Sequence, residues 1–248
     1  SGIGREMARQ LAPCASRLLV CGRDEEAMGS LFKELKAVSG SSVEGFLVDL
    51  SNKESSEDFI EKIKANYEID ILVNNAGFGY MGDFYLMPHT EINSMERTNM
   101  LFVAALCRAF IPGMIRKRYG GILNVGSVAS FFATPGSALY GATRHFILGF
   151  TDAIHEELLP FGVHVTGLYT GHTYSRFIER ATQGRRQKWQ KAMSASAVAR
   201  DGLLGLSKNR IRVVPGMGNK LRAFAGSVIP VSIILKKIYG SAVKNYKD

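Results

Sequence analysis

Residues 69–77 read Ile-Asp-Ile-Leu-Val-Asn-Asn-Ala-Gly, a mostly apolar run that ends in two asparagines, an alanine and a glycine. Apolar strands without regular alternation are typical of a parallel sheet that is covered on both faces. The Asn-Asn-Ala-Gly tetrapeptide suits a simple turn, since asparagine and glycine favour turn conformations. It suits a ligand crevice equally well, because an α/β sheet places that crevice where its strands end.

Similar strands lie on both sides of this stretch, and each is followed by a helical pattern. Strands are predicted at 17–22, 42–50, 121–125 and 163–169, and helices at 24–38, 53–67, 89–117 and 139–159. This alternation predicts an α/β fold with a doubly wound parallel sheet of the Rossmann type and helices on both faces.

We predict a single domain over residues 1–248, because no repeat, linker or shift in composition interrupts the chain before about residue 172. From about 172 to 210 the pattern loosens, and we expect a helical substrate lid there, followed by a basic C-terminal segment over about 211–248. Ser1-Gly2-Ile3-Gly4 leads directly into a helix, whereas a doubly wound fold begins with a strand and a glycine turn. We therefore expect the first strand to be missing from this chain, as in a truncated version of a longer one.

The composition excludes several classes of protein. The chain has 248 residues, of which 46% are hydrophobic and 21% are charged, as in an ordinary α/β domain. Its three cysteines form no Cys-x-x-Cys pair, and no His, Asp or Glu cluster has metal-binding spacing, so we expect no disulfide framework and no metal. We see no apolar run of the length of a membrane span and no signal peptide, and we expect a cytoplasmic protein.

Positive charge is concentrated near the C-terminus, where residues 176–248 hold 16 Lys and Arg against 3 Asp and Glu. A solvated surface or an anionic partner would explain it. The charges are dispersed and no nucleic-acid-binding motif accompanies them, so we expect no nucleic acid as partner. The apolar stretch 224–235, followed by Lys236 and Lys237, leaves a weak peripheral membrane contact open. Pro230 weakens such a helix, and docking on the protein's own core is the expected alternative.

Four polar residues have a spacing that suggests one site. Tyr140 and Arg144 are four apart in a helix and share a face, and Ser127 ends the preceding strand. Asn99 lies in an apolar helix, where a buried amide costs free energy unless it has a partner. Each residue has an ordinary structural explanation. Together, and with the Ser-Gly-Ile-Gly and Asn-Asn-Ala-Gly motifs, they resemble the short-chain dehydrogenase/reductase family.

The resemblance implies a role for each of these residues. Tyr140 would be the proton donor, Ser127 would polarise the substrate carbonyl, and Asn99 would hold a water of a proton relay. Arg144 stands where the family has a lysine; its charge is retained, but its planar fork is larger and it does not readily release a proton. The residues expected at the cofactor are Ser1, Gly2, Ile3, Gly4, Arg23, Asp49, Leu50, Asn75, Ala76, Gly77, Tyr140, Arg144, Thr170, Gly171, Thr173 and Ser175.

The function implied by the resemblance is hydride transfer between a nicotinamide cofactor and a small hydrophobic ketone, aldehyde or secondary alcohol. Arg23 follows the strand at 17–22, where a basic residue favours the 2′-phosphate of NADP over the hydroxyl of NAD. NADP is therefore the preferred cofactor, with NAD as the other possibility. A different hypothesis is an NADP-binding sensor or scaffold that Arg144 has impaired as a catalyst. A homodimer or homotetramer is expected.

Overall fold

The computed structural model of the chain describes residues 2–38, 40, 42–184, 192–230, 232–233 and 235. Helices and strands alternate along it as predicted. The helices are α1 (Gly2–Leu11), α2 (Glu25–Val38), α3 (Lys53–Asn66), α4 (His89–Glu96), α5 (Phe102–Lys117), α6 (Ala138–Leu158), α7 (Phe177–Ala181), α8 (Ala195–Ser207) and α9 (Met217–Val228). The strands are β1 (Arg17–Gly22), β2 (Ser42–Leu47), β3 (Ile71–Asn74), β4 (Gly120–Ser127), β5 (Val163–Thr170) and β6 (Arg212–Val213).

All strand pairings within these ranges are parallel. β1 pairs with β2 over six residues, and β3, β4, β5 and β6 form a second group in that order. The longest pairing joins β4 to β5 over eight residues, from Gly120 beside Val163 to Ser127 beside Thr170. Because parallel strands end at the same edge, this register places Ser127 and Thr170 side by side.

Helices cover both faces of the four-stranded sheet, which confirms the doubly wound α/β fold. On one face, α3, α5 and α6 bury Ile122, Val163 and Val165. On the other face, α1 and α8 pack on Leu123, Val125 and Leu168. Side chains of successive strand residues point to opposite faces, so two separate apolar layers form from one run of sequence.

Helix α8 belongs to this core, which corrects the predicted extent of the lid. Val198 and Ala199 are fully buried, and α8 packs on α1 and β5. A Cβ atom on Gly202 would lie 2.7 Å from Cδ2 of Leu168, so the helix approaches the sheet more closely than a side chain there would allow. The predicted lid over 172–210 is therefore too long, since its second half is a core helix.

The helix from His89 to Lys117 runs through α4, a π-helical turn at Arg97–Leu101 and α5. It is the one helix in the described ranges whose length and composition would allow it to cross a membrane. Its side chains pack in the core instead, where Phe102, Leu106 and Cys107 are buried. Single π-helical turns often occur at functional sites, and this one carries Asn99.

Candidate active site

A cavity of about 910 Å³ opens at the carboxyl ends of β3, β4 and β5. The turn after β3 contributes Asn75, Ala76 and Gly77 to its wall, and α6 contributes Tyr140 and Arg144. Ser127 and Thr170, which the β4–β5 register sets side by side, also line the cavity. This is the edge at which an α/β sheet binds its ligand. Within the described ranges, no group of three or more His, Cys, Asp or Glu side chains is placed to hold a metal ion.

Arg144 is buried beneath the cavity, and its side chain is only 5% exposed. Its guanidinium carbon lies 4.9 Å from the centre of the Tyr140 ring, within the range of a cation–π contact. Nη1 donates a hydrogen bond of 3.1 Å to the carbonyl oxygen of Val125 at the end of β4. Nε has no hydrogen-bond partner among the described residues. The positive charge is therefore held beside the tyrosine with one buried donor still free.

Gly77 makes room for this guanidinium. A Cβ atom at position 77 would lie 2.5 Å from Nη2 of Arg144 and 3.0 Å from Oδ1 of Asn99. The first of these separations is shorter than atoms normally tolerate, so the glycine of the Asn-Asn-Ala-Gly turn allows the backbone to pass over Arg144. The Asn-Asn-Ala-Gly turn is therefore part of the site. Of the two interpretations of this tetrapeptide, a simple turn or part of a ligand crevice, the structure favours the second.

Asn99 lies under the site and does not line the cavity. Its amide nitrogen donates to the carbonyl oxygen of Phe78 at 2.9 Å and to the hydroxyl of Thr143 at 3.1 Å. Its amide oxygen accepts from the backbone N–H of Phe78 at 3.1 Å. Both amide hydrogens are thus engaged with protein atoms, so this side chain has a positioning role, and the relay water expected at Asn99 stays a prediction. It ties the turn after β3 to α6.

Ser127 and Ser130 form a hydrogen-bonded turn after β4. The Ser127 hydroxyl accepts from the backbone N–H of Ala129 at 3.2 Å and faces the same cavity as Tyr140. The hydroxyl of Ser130 donates to the carbonyl oxygen of Arg144 at 2.7 Å. Ser130 therefore fixes the stretch of α6 that carries the cation, a role that the sequence analysis missed. The Ser-x-x-Ser spacing at 127–130, which forms a capping box here, is the signal that would have found it.

Helix α7 covers the tyrosine, as expected of the first part of the lid. The rings of Phe177 and Tyr140 are 5.4 Å apart between their centres. The backbone N–H of Met81 donates to the carbonyl oxygen of Ala181 at 2.8 Å, which fastens the end of α7 to the loop after β3. Phe177 was not predicted as a site residue, because its contact with Tyr140 joins segments that are far apart in sequence.

Most of the residues predicted for the cofactor line the cavity. These are Ile3, Arg23, Asn75, Ala76, Gly77, Tyr140, Arg144, Thr170, Gly171, Thr173 and Ser175. Gly2 and Gly4 stand behind them at the start of α1, where a Cβ on Gly2 would lie 2.7 Å from Cβ of Ser175. Gly2 also has a φ of +59°, which a side chain rarely adopts. Ser1 lies outside the described residues.

Leu50 and Asp49 are not among the residues that line the cavity, and their contact with the cofactor stays a prediction. Leu50 is 7% exposed and packs in the apolar core with Ile60 and Ile63, so its side chain is not available to a ligand. The carboxylate of Asp49 accepts hydrogen bonds from the hydroxyl and the backbone N–H of Ser51. These bonds lower the pKa of Asp49 below its usual value, and so do the positive charges of Arg23 and Arg180.

Charged side chains line the cavity with an excess of positive charge: besides Arg144, these are Arg23, Arg176, Arg180 and Arg222, against Asp24 and Glu179. Arg176 lies 3.4 Å from a carboxylate oxygen of Asp24 and so links the lid to the segment after β1. In the part of the chain that the structure describes, neither Arg23 nor Arg180 forms an ion pair.

Arg180 lies on the lid with its guanidinium carbon 3.9 Å from the centre of the Phe78 ring. Burial and the charge of Arg23 lower the pKa of Arg180 below its usual value. Two like charges that act on each other across one cavity would both be stabilised by an anionic ligand. Arg23 was predicted as a site residue, but Arg180 was not, because it comes from a part of the chain more than 150 residues away.

Residues 1–186 match the model of the short chain dehydrogenase family, which is three quarters of the chain. The chain belongs to this family. The chain is 31% identical over 214 residues to a 3-oxoacyl-(acyl-carrier-protein) reductase from Haemophilus influenzae. This alignment covers 86% of this chain and 84% of the relative. It is 30% identical over 190 residues to dehydrogenase/reductase SDR family member 7B from Xenopus tropicalis, which covers 74% of this chain but only 62% of that relative.

Solved structures show the same fold. A short-chain dehydrogenase from Sphingobium yanoikuyae in complex with NADPH is 26% identical, with a TM-score of 0.83 over 96% of this chain and 92% of that one. A metagenomic short-chain oxidoreductase in complex with NADP is also 26% identical, with a TM-score of 0.71 over 88% of this chain and 94% of that one. The predicted family and the predicted Rossmann-type architecture are thus confirmed.

The bonds of Asn99 predict a loss of stability when it is changed. Asn99→Ala leaves the N–H and C=O of Phe78 without their partner and removes one of the two hydrogen bonds of the Thr143 hydroxyl, and we expect the free energy of unfolding to fall by about 1–3 kcal/mol. Asn93→Ala, an exposed asparagine of α4, is the matched control and should change it by less than about 0.5 kcal/mol. Denaturant unfolding of both variants measures the difference. Equal stability of the two would show that the buried amide does not hold the turn.

Proposed function

We propose that this protein is an NADP-dependent oxidoreductase that transfers hydride between nicotinamide and a hydrophobic ketone, aldehyde or secondary alcohol. The observation that carries the proposal is the buried Arg144 guanidinium, 4.9 Å from the Tyr140 ring, in a cavity that Ser127 also lines. The apolar side chains of Phe78, Met81 and Phe132 in the same wall favour a hydrophobic substrate.

The residues of the cavity fit a dinucleotide. A Cβ atom on Gly2, Gly4 or Gly77 would collide with Ser175, Asn75 or Arg144, so these glycines let the backbone approach side chains that line the cavity. Helix α1 begins at Gly2, and the N-terminus of a helix is a site for a phosphate group. The unpaired Nε of Arg144 is a buried donor that lacks an acceptor among the described residues. Ile3, Asn75 and Gly77 would hold the cofactor from the sheet side, and Thr173 and Ser175 from the lid side. When bound, the dinucleotide supplies or accepts the hydride.

The side chains of the site would carry out the proton transfer and stabilise the charges that form. In the direction of reduction, the Tyr140 hydroxyl gives its proton to the substrate oxygen, to which the Ser127 hydroxyl donates a hydrogen bond. The charge of Arg144 stabilises the negative charge left on the Tyr140 oxygen, and its own position is fixed by Val125 and Ser130. Arginine does not release a proton at neutral pH, so the proton that reloads Tyr140 comes from solvent by a route that does not pass through position 144.

Phe177 covers the tyrosine and limits the access of water to it. A closed, water-poor site strengthens the electrostatic effect of the buried guanidinium, because fewer solvent dipoles screen it. In the described ranges, the lid contacts the rest of the protein through the Arg176–Asp24 ion pair, the Phe177 ring, the guanidinium of Arg180 over the Phe78 ring and the backbone bond to Met81.

A second candidate function is an NADP-binding sensor or scaffold without turnover. Two observations favour it: Nη1 of Arg144 is already bonded to Val125, and the Phe177 ring lies against Tyr140. The two functions share the cofactor site and differ in whether a carbonyl substrate is reduced. They are therefore separated by turnover and not by binding.

Oxidation of NADPH in the presence of a panel of hydrophobic ketones and aldehydes tests the proposed function. We expect turnover by the wild type and a loss of at least about 100-fold in kcat for Tyr140→Phe, which lacks the proton to be transferred. The variant should still bind NADPH, so that the loss lies in the transfer step. Tyr85→Phe, at an 80% exposed tyrosine, is the matched control and should behave as the wild type does. Tight NADPH binding without oxidation by any substrate of the panel would favour the scaffold.

The choice of cofactor rests on Arg23 and Arg180 of the cavity wall, which form no ion pair with any residue that the structure describes. Arg23→Ala and Arg180→Ala should each weaken NADPH binding by about 10–100-fold, because a charge-assisted contact to the 2′-phosphate is lost. NADH, which lacks that phosphate, should lose much less affinity. Arg17→Ala, at the other end of β1, is the control for a lost surface arginine. Titration by nicotinamide fluorescence measures the dissociation constants, and equal losses for both cofactors would contradict the assignment.

A further inference from the structure

Helix α9 carries an apolar stripe that is open to solvent. Met217, Leu221, Phe224 and Val228 are 78%, 67%, 65% and 59% exposed. Their spacing of four, three and four residues places them within about 60° of one another around the helix axis, so they form one continuous face. Ile233, in the segment after the helix, is also 61% exposed.

The opposite face of α9 is fixed to the protein. Asn219 and Ala223 are 9% and 6% exposed, and the Asn219 amide donates to the carbonyl oxygen of Pro215 at 2.8 Å. A Cβ on Gly226 would lie 2.7 Å from the carbonyl oxygen of Phe131, so this face already sits against the turn after β4. The helix cannot rotate its apolar stripe inward without breaking these contacts. The described part of α9 therefore does not dock its apolar stripe on the protein's own core.

The sequence that contains the stripe is positively charged. No acidic residue occurs between Asp201 and Asp248, a segment that contains nine basic ones: Lys208, Arg210, Arg212, Lys220, Arg222, Lys236, Lys237, Lys244 and Lys247. Of these, Lys220 and Arg222 lie on α9 itself, and the last four lie outside the described residues. An exposed apolar face beside basic residues is the pattern of helices that lie at the surface of anionic bilayers. A second copy of this chain would bring the same positive charge to the contact, which disfavours the stripe as a subunit interface.

We propose that α9 is a peripheral membrane-binding helix, which inserts its apolar stripe into the headgroup region of an anionic lipid bilayer. Arg222, on the inner side of the helix, lines the active-site cavity. The bilayer would therefore lie next to the cavity, and a lipophilic substrate would reach it from the membrane. That last consequence rests on the proposed function, whereas membrane docking does not.

Co-sedimentation of the whole chain with lipid vesicles tests the proposal. We expect binding to phosphatidylcholine vesicles with about 30% phosphatidylglycerol to be at least about 10-fold stronger than to phosphatidylcholine alone. Salt at about 0.5 M should weaken it, because the charges are then screened. Similar binding to both kinds of vesicle, or none to either, would overturn the proposal.

Two variants locate the binding surface. The double variant L221S/F224S should lose at least about 10-fold in vesicle affinity, since the apolar stripe is interrupted. Lys220→Glu keeps the stripe and should lose affinity for anionic vesicles only. The control is L159S/Y119S, which removes one leucine and one aromatic of similar exposure at the amino ends of β5 and β4. All these substitutions are at exposed side chains, so thermal unfolding should be unchanged.

The outcomes of these experiments are separable. If L221S/F224S binds anionic vesicles as tightly as the wild type, α9 is not the membrane contact. If light scattering shows that the wild type is an oligomer and L221S/F224S is a monomer, the stripe is an interface between copies and the proposal is overturned. Vesicle binding by Tyr140→Phe should equal that of the wild type, so a failure of the proposed catalysis leaves this test intact.

Discussion

The eight consecutive parallel pairs between β4 and β5 are the constraint on which the site depends. Both strands are buried on both faces, so a shift of one residue would turn every side chain to the other layer of the core. The register therefore has one stable solution, and that solution ends with Ser127 beside Thr170. The cavity lies at this edge because the strands end there together.

The second constraint is the burial of one cation. An arginine that is 5% exposed requires partners, and Arg144 obtains them from Val125 and from the ring of Tyr140, while Gly77 leaves it the necessary space. Asn99 holds the backbone next to that glycine. The site is thus a set of backbone and side-chain groups arranged around a guanidinium that is larger than an ammonium group. The close fit suggests that the surrounding residues accommodate arginine as an adapted part of the site.

Much of the fold followed from the sequence, because long apolar strands and amphipathic helices leave a periodic signal. The second half of the predicted helical lid contains α8 (Ala195–Ser207), but the place of this helix in the core was not predicted. Its close approach to the sheet depends on Gly202 and Gly205, and glycine adds no apolar side chain to the pattern. Leu50 was placed at the cofactor by the family resemblance alone, and its apolar side chain lies in the core, which the resemblance did not indicate.

Most of the predicted site residues line the cavity, whereas their contacts were not predictable from the sequence. Phe177 and Arg180 reach the site from the lid, and nothing in the local sequence marks such long-range contacts. The central claim is that the buried guanidinium of Arg144 supports proton transfer by Tyr140. Single-turnover oxidation of bound NADPH by a carbonyl substrate, compared between the wild type and Arg144→Met, tests it most directly. We expect the rate to be at least about 100-fold lower in the variant, with NADPH still bound. An equal rate in both proteins would contradict it.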